Sequence, residues 1–201
     1  SSPGGEPQGV APDMAATVAE RLGVGVEYLT YASPGEVADA GERNEWDIAL
    51  IAAEPKRAEK IAFSEAYVEI EATYLVPENS PFMSFDDVDQ PGVRIAVMDR
   101  AAYELYLSRT LQHAELQRAP SGPAAFELFV AQKLDALAGL VPGLQKNAAE
   151  LPGSRLMEGC YTAVNQAIGT KLGNSALQAV LAQFVAHAKE SGLVAELIDR
   201  H

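Results

Sequence analysis

Two short loops carry the charged residues best suited to holding a small ligand. The first follows the run Trp46 to Ala52, where Ala53-Glu54-Pro55-Lys56-Arg57 turns a near-continuous apolar segment into a tight bend. Such a run reads as a strand of a covered parallel sheet, and open α/β sheets bind ligands beyond the carboxyl ends of their strands. Arg57 in that bend offers paired donors matched to a planar carboxylate. Glu54, three residues earlier, sets a negative charge beside it, and a surface ion pair between the two is the competing role for both. The second loop is Met98-Asp99-Arg100-Ala101-Ala102-Tyr103, after the apolar run Val93 to Val97. There Asp99 is placed to cap the following helix, and Arg100 either donates to a ligand or faces solvent. Ser121, at another strand-to-helix junction, is a cap or a ligand contact, and Gln166 is a further polar candidate.

The chain carries little that would make or break bonds. His113, His187 and His201 are isolated in sequence and stand in no metal-ligand spacing, and neither a Ser-His-Asp order nor a Gly-x-Ser-x-Gly elbow appears. No catalytic residue, metal site or cofactor is therefore expected. Cys160 is the only cysteine, so an intrachain disulfide is excluded, and a lone thiol between Gly159 and Tyr161 reads as a small buried apolar group. Trp46 and Tyr74 read as core residues.

Composition narrows the partners. With 15 basic against 28 acidic residues in 201, the net charge of −13 repels phosphate backbones and anionic lipid, which argues against nucleic acid and membrane surfaces. No apolar run reaches the roughly 20 residues of a membrane helix, and no basic-then-apolar leader precedes Ser1, so a secretory signal, if one existed, is not in this chain. A small-molecule ligand and a monomer are expected.

The elements that must position these loops follow from periodicity. Val10, Met14, Val18 and Leu22 recur at four-residue spacing and predict a helix ending at Gly23, with a strand over Val24 to Thr30. Ser33-Pro34-Gly35-Glu36 predicts a capped helix to about Arg43, followed by the Trp46 to Ala52 strand. After an extended run Glu71 to Val76 closed by Pro77, the order is a helical turn from Ser84 and a strand Val93 to Met98. Helix Ala101 to Leu111, strand Glu115 to Arg118, helix Pro123 to Lys133 and strand Leu134 to Leu140 complete a second α/β series. A helix Pro142 to Ala149, a short strand Arg155 to Met157, an extended run Tyr161 to Gly169 and helices Ser175 to Lys189 and Val194 to Arg200 close the chain. The pattern alone permits either two lobes or one doubly wound sheet.

Asp47, Pro55, Arg57, Ala58, Phe63, Ser64 and Tyr67 stand in an order and spacing that resembles the signature of the family 3 extracellular solute-binding proteins of ABC importers. The resemblance continues through Gly9 to Tyr28, Asp86 to Val97, Leu134 to Leu137 and Ser191 to Ala195. It implies the α/β, two-lobed type II periplasmic-binding-protein fold with a double hinge. Lobe 1 would be residues 1–75 and 171–201 and lobe 2 residues 76–170, with hinges near 73–77 and 164–170. It also implies a first lobe lacking its usual N-terminal strand, since only the turn-type stretch Ser1 to Gly5 precedes the matching region.

The resemblance further implies the site: Ala53, Glu54 and Arg57 from one lobe, Asp99, Arg100, Ala101, Ser121 and Leu140 from the other, with Arg57 as the carboxylate clamp. Three positions depart from the family's pattern. Glu54 replaces a threonine or serine, Asp99-Arg100-Ala101 replaces a glycine and a hydroxyl residue, and Leu140 stands where amino-acid receptors carry an ammonium-binding aspartate. A leucine cannot pair with an ammonium group. The function implied is a periplasmic solute-binding protein that closes over a small organic anion or zwitterion, not a standard α-amino acid, for the membrane permease of an ABC transporter. The alternatives are the ligand-sensing domain of a signalling protein and a cyclohexadienyl-dehydratase-like enzyme with Glu54 as its acid.

Overall fold

In the computed structural model, residues 7–201 are described; the stretch Ser1 to Gly5 lies outside them. The chain divides into two units. The first holds residues up to Tyr31 together with Glu36–Glu69 and Asn165–His201, and the second holds Ala32–Gly35 and Ile70–Val164.

In the first unit the helix α1 (Val10–Leu22) ends where Gly23 takes a left-handed conformation, φ 68°, that lets its N–H reach back to the last-turn carbonyls. Next comes α2 (Pro34–Glu42), whose first two residues lie in the second unit. It leads to β1 (Ile48–Ala52), α3 (Pro55–Ala58) and β2 (Ile61–Phe63). Two strands pass from one unit into the other, β3 (Val68–Pro77) and β8 (Thr162–Lys171), and α8 (Ser175–Glu190) and α9 (Leu193–Arg200) finish the first unit.

Both β1 and β2 pair antiparallel with β8, with Leu50 opposite Ile168 and Phe63 opposite Gly169. The alternation of β1 is used on both faces: Ile48 and Leu50 pack against the cluster of Met14, Ile168 and Phe184, while Ala49 and Ile51 pack with Ile61, Val37 and Trp46. A Cβ at Gly169 would stand 2.6 Å from Ile61 Cγ2, so any side chain there would force its neighbours on β2 to shift.

Two short elements escape the sequence pattern. α3 has four residues and β2 three, too few for a period to register. The expected strand Val24 to Thr30 is corrected: among the described residues the segment belongs to no strand ladder, and Val24 and Leu29 are exposed. Its alternating apolar residues carry the strand signal, but a strand needs a neighbour to pair with.

The second unit is a parallel series. Its elements are α4 (Phe85–Val88), β4 (Arg94–Met98), α5 (Ala102–Thr110), β5 (Glu115–Ala119), α6 (Gly122–Ala131), β6 (Ala136–Leu140), α7 (Val141–Glu150) and β7 (Ser154–Leu156). β4 lies between β5 and β6 and is parallel to both, while β3 pairs antiparallel with β6 and with β7. Its core includes Leu75, Ala96, Phe129 and Leu144. An aromatic cluster of Tyr74, Phe85, Tyr106 and Tyr161 adds to it, with the Tyr74 and Tyr161 rings 4.7 Å apart. Trp46 and Tyr74 are packing residues, as their apolar surroundings require: the Trp46 indole N–H donates to Val37 O, and Tyr74 is 2% exposed.

Candidate functional site

At the carboxyl end of β1, Ala53 N still donates to Asn165 O at 2.8 Å, so the chain leaves the ladder only at Glu54. Glu54 is the N-cap of α3, its Oε2 accepting from Lys56 N at 2.9 Å, and Pro55 supplies the first helical position without a wasted N–H. One turn on, Arg57 Nη1 donates to Ala52 O at 3.0 Å. Glu54 and Arg57 are 4% and 5% exposed, so neither is the surface residue that a solvated ion pair would make of them. Burial of an always-charged guanidinium is expensive, and a hydrogen bond to a strand carbonyl offsets part of that cost while aiming the fork.

In the second unit β4, β5 and β6 run parallel, so their carboxyl ends share one edge and each delivers the chain into a helix there: α5, α6 and α7. Asp99, Arg100 and Ala101 follow β4, Ser121 follows β5, and Leu140 ends β6, which brings these five predicted residues to one edge.

Their roles differ. Ser121 caps α6, its Oγ accepting from Ala124 N. Leu140 is the N-cap residue of α7 and Ala101 that of α5, and neither side chain can accept a hydrogen bond. The expectation that Asp99 caps α5 is corrected. Its carboxylate lies 3.8 Å from Arg118 Nε instead, because the chain turns through Arg100 before the helix begins.

Arg100 takes φ 57°, the left-handed region in which glycine is at ease and arginine is not. Its N–H donates to Glu104 Oε2 at 3.1 Å and its Nη2 donates to Gly35 O at 3.1 Å, and these bonds help hold it there. The guanidinium lies close over Gly35, where a Cβ would stand 2.9 Å from Arg100 Cζ.

Glu104 is the residue that sequence reasoning missed. It is 2% exposed and accepts from Arg118 Nε at 2.9 Å and from Ser108 Oγ at 2.6 Å as well as from Arg100 N. The signal for it was present: an acid in the third position of a helix whose N-cap is an alanine is placed to reach back to the entering backbone. Among the described residues no group of His, Cys, Asp and Glu is placed to hold a metal ion, and no helix is long and apolar enough to cross a membrane.

Comparison with known proteins gives the chain a context. The family model described as bacterial extracellular solute-binding proteins, family 3, matches residues 1–201. No curated protein matches the chain by sequence. Three solved structures share the fold. A putative binding component of an ABC transporter from Wolinella succinogenes DSM 1740, complexed with lysine, has a TM-score of 0.84 at 20% identity, covering 96% of this chain and 85% of that one. A histidine kinase sensor domain with similarity to periplasmic binding proteins has a TM-score of 0.84 at 19% identity, covering 98% and 86%. An ancestral amino-acid-binding protein, a precursor of cyclohexadienyl dehydratase, has a TM-score of 0.81 at 22% identity, covering 96% and 84%. The architecture common to all three is the type II periplasmic-binding-protein fold.

Proposed function

Because this chain belongs to the bacterial extracellular solute-binding proteins, family 3, we propose that it captures a small organic anion or zwitterion in the periplasm and delivers it to the permease of an ABC importer. The observation that carries the reading is Arg57, a buried guanidinium at the carboxyl end of β1, aimed by Ala52 O and preceded by an acid already engaged in capping α3. A buried, preorganised fork loses little conformational freedom when a carboxylate arrives.

The ligand class is narrowed by the edge of the second unit. Leu140 and Ala101 present no side-chain acceptor there, Ser121 Oγ already accepts from Ala124 N and the Asp99 carboxylate lies 3.8 Å from Arg118 Nε, so an ammonium group taken out of water at the Leu140 position is disfavoured. The proposed ligand is therefore a small carboxylate, as an anion or as a zwitterion other than a standard α-amino acid.

A thermal-shift screen across aliphatic and aromatic carboxylates, amines and amino acids tests this. A ligand at 100 times its dissociation constant adds about 2.7 kcal/mol of stability. The expected outcome is a shift with one carboxylate class that Arg57→Ala abolishes. Micromolar binding of glutamine, arginine or histidine by calorimetry would overturn the ligand class, and a shift that survives Arg57→Ala would remove Arg57 from the site.

A further inference from the structure

Of the four methionines, Met83 is the one that solvent reaches freely. It is 82% exposed, against 0% for Met14 and 4% for Met157, with Met98 half-buried. It stands in the segment Ser80-Pro81-Phe82-Met83 that leads into α4, and its backbone is fixed there, because Met83 N and Ser84 N both donate to Asp87 Oδ2, at 2.9 and 2.8 Å. A cation lies against the same segment. Arg155, on β7, donates through Nη2 to Ser80 O at 3.1 Å and to Phe82 O at 2.7 Å, and that nitrogen stands 4.0 Å from Met83 Sδ. Nη1 and Nε of Arg155 make no hydrogen bond among the described residues, so the guanidinium keeps donors to spare beside the sulfur.

A thioether is a weak acceptor, and a guanidinium beside it gains little from the contact. Oxidation changes that. The sulfur lone pair attacks the terminal oxygen of a hydroperoxide and the O–O bond breaks. The sulfur, oxidised by two electrons, keeps that oxygen as S=O, while the other oxygen leaves, takes the proton and becomes an alcohol or water. The product is polar, and its oxygen, on a sulfur 4.0 Å from Nη2, lies within reach of the guanidinium as a charge-assisted acceptor. In a core, a sulfoxide disrupts apolar packing; the Met83 side chain stands in water in both forms, so no packing is lost.

We propose that Met83 is a reversible oxidation site of this protein: a hydroperoxide converts its thioether to the sulfoxide, Arg155 captures the new oxygen and tightens segment 80–84, and a methionine sulfoxide reductase returns the thioether.

Hydrogen peroxide titrated onto the folded protein, followed by peptide mass mapping, tests the site. Met83 should gain an oxygen before Met98 and at least about tenfold faster than Met14 and Met157, since susceptibility follows exposure. The half-buried Cys160 lies well apart in sequence and is read on its own peptide. The oxidised protein should melt within about 2 °C of the reduced one, as a change confined to the surface does, and should show slower hydrogen exchange over 80–84. Arg155→Ala loosens this segment in both states, so the reading is the difference between oxidised and reduced forms of each protein, present in the parent and absent in the variant. Incubation with a methionine sulfoxide reductase should remove the added oxygen from the folded protein. Another methionine oxidised first overturns the proposal, as does exchange over 80–84 that oxidation leaves unchanged or speeds. A difference that survives Arg155→Ala, or a sulfoxide that the reductase leaves in place, overturns it too.

Discussion

Arg57 Nη1 donates to the carbonyl oxygen of Ala52 at 3.0 Å, folding the guanidinium back over the strand end from which its own loop departs. The contact ties α3 to β1 and holds the fork in a buried setting before any ligand is present. Arg57→Ala removes the donor and leaves a strand-end carbonyl without its charged partner. We expect a loss of about 2 kcal/mol in urea unfolding, in the range for hydrogen bonds to charged groups. A bound carboxylate should weaken by about 2–5 kcal/mol in calorimetry. Arg57→Lys, which keeps the charge but not the planar fork, should recover stability more than affinity.

Glu104 joins the β4–α5 loop to β5 by accepting from Arg100 N, Ser108 Oγ and Arg118. Breaking a fully buried ion pair costs about 3–5 kcal/mol. Arg118 is about half exposed, with a side-chain exposure of 46%, so water can take over one partner. Glu104→Ala should therefore cost about 2 kcal/mol, and Glu104→Gln less, because its amide oxygen still accepts from Arg100 N. Chemical denaturation of the two variants side by side reads the difference.

The left-handed backbone of Arg100 makes a second test of the same loop. Arg100→Gly gives up the bond to Gly35 O but relieves a conformation that costs about 1 kcal/mol for a residue with a Cβ, so its stability should stay near the parent's. Arg100→Val, losing the same bond and adding a branched Cβ, should be the least stable of the three proteins in a melting series.

Asp89 accepts three successive backbone amides, from Gln112, His113 and Ala114, at 2.8, 2.8 and 2.9 Å. Partial burial pushes its pKa up, but the amides outweigh it and hold the carboxyl below its ordinary value. A lowered folded-state pKa contributes stability above the unfolded value that is lost as pH falls through the folded value. Asp89→Asn should thus destabilise the protein by about 1 kcal/mol at neutral pH, a figure reduced for solvent screening. The gap between variant and parent should close on acidification, and melting temperatures measured from pH 7 down to pH 2 follow it.

The Tyr161 hydroxyl is buried without a hydrogen-bond partner among the described residues, against Tyr74 and Tyr106, and burial drives its pKa well above the usual phenol value. A buried polar group left unsatisfied costs about 1–3 kcal/mol, and Phe keeps the ring. Tyr161→Phe should raise the stability by about 1 kcal/mol in thermal unfolding.

Much of this protein is legible in the order of its residues. The apolar run Ile48 to Ala52 followed by Glu54-Pro55 marks a strand ending in a capped turn, and the structure has that strand and that cap. The parallel series from β4 to α7 is visible because each element is long enough for its period to register against the Gly, Pro and Ser residues that bound it. The family is legible for the same reason, since its signature lies within one continuous stretch around Arg57.

Tertiary structure decided what depends on partners distant in sequence. Glu104 lies 14 residues from Arg118, and only the parallel pairing of β4 with β5 makes it the hub of the loop. The rotation of the chain through Arg100 cost Asp99 its expected cap, because a left-handed residue redirects the backbone in a way side-chain type does not announce. Segment 24–31 has the composition of a strand, yet among the described residues it joins no ladder, since pairing belongs to two segments and cannot be read from either alone.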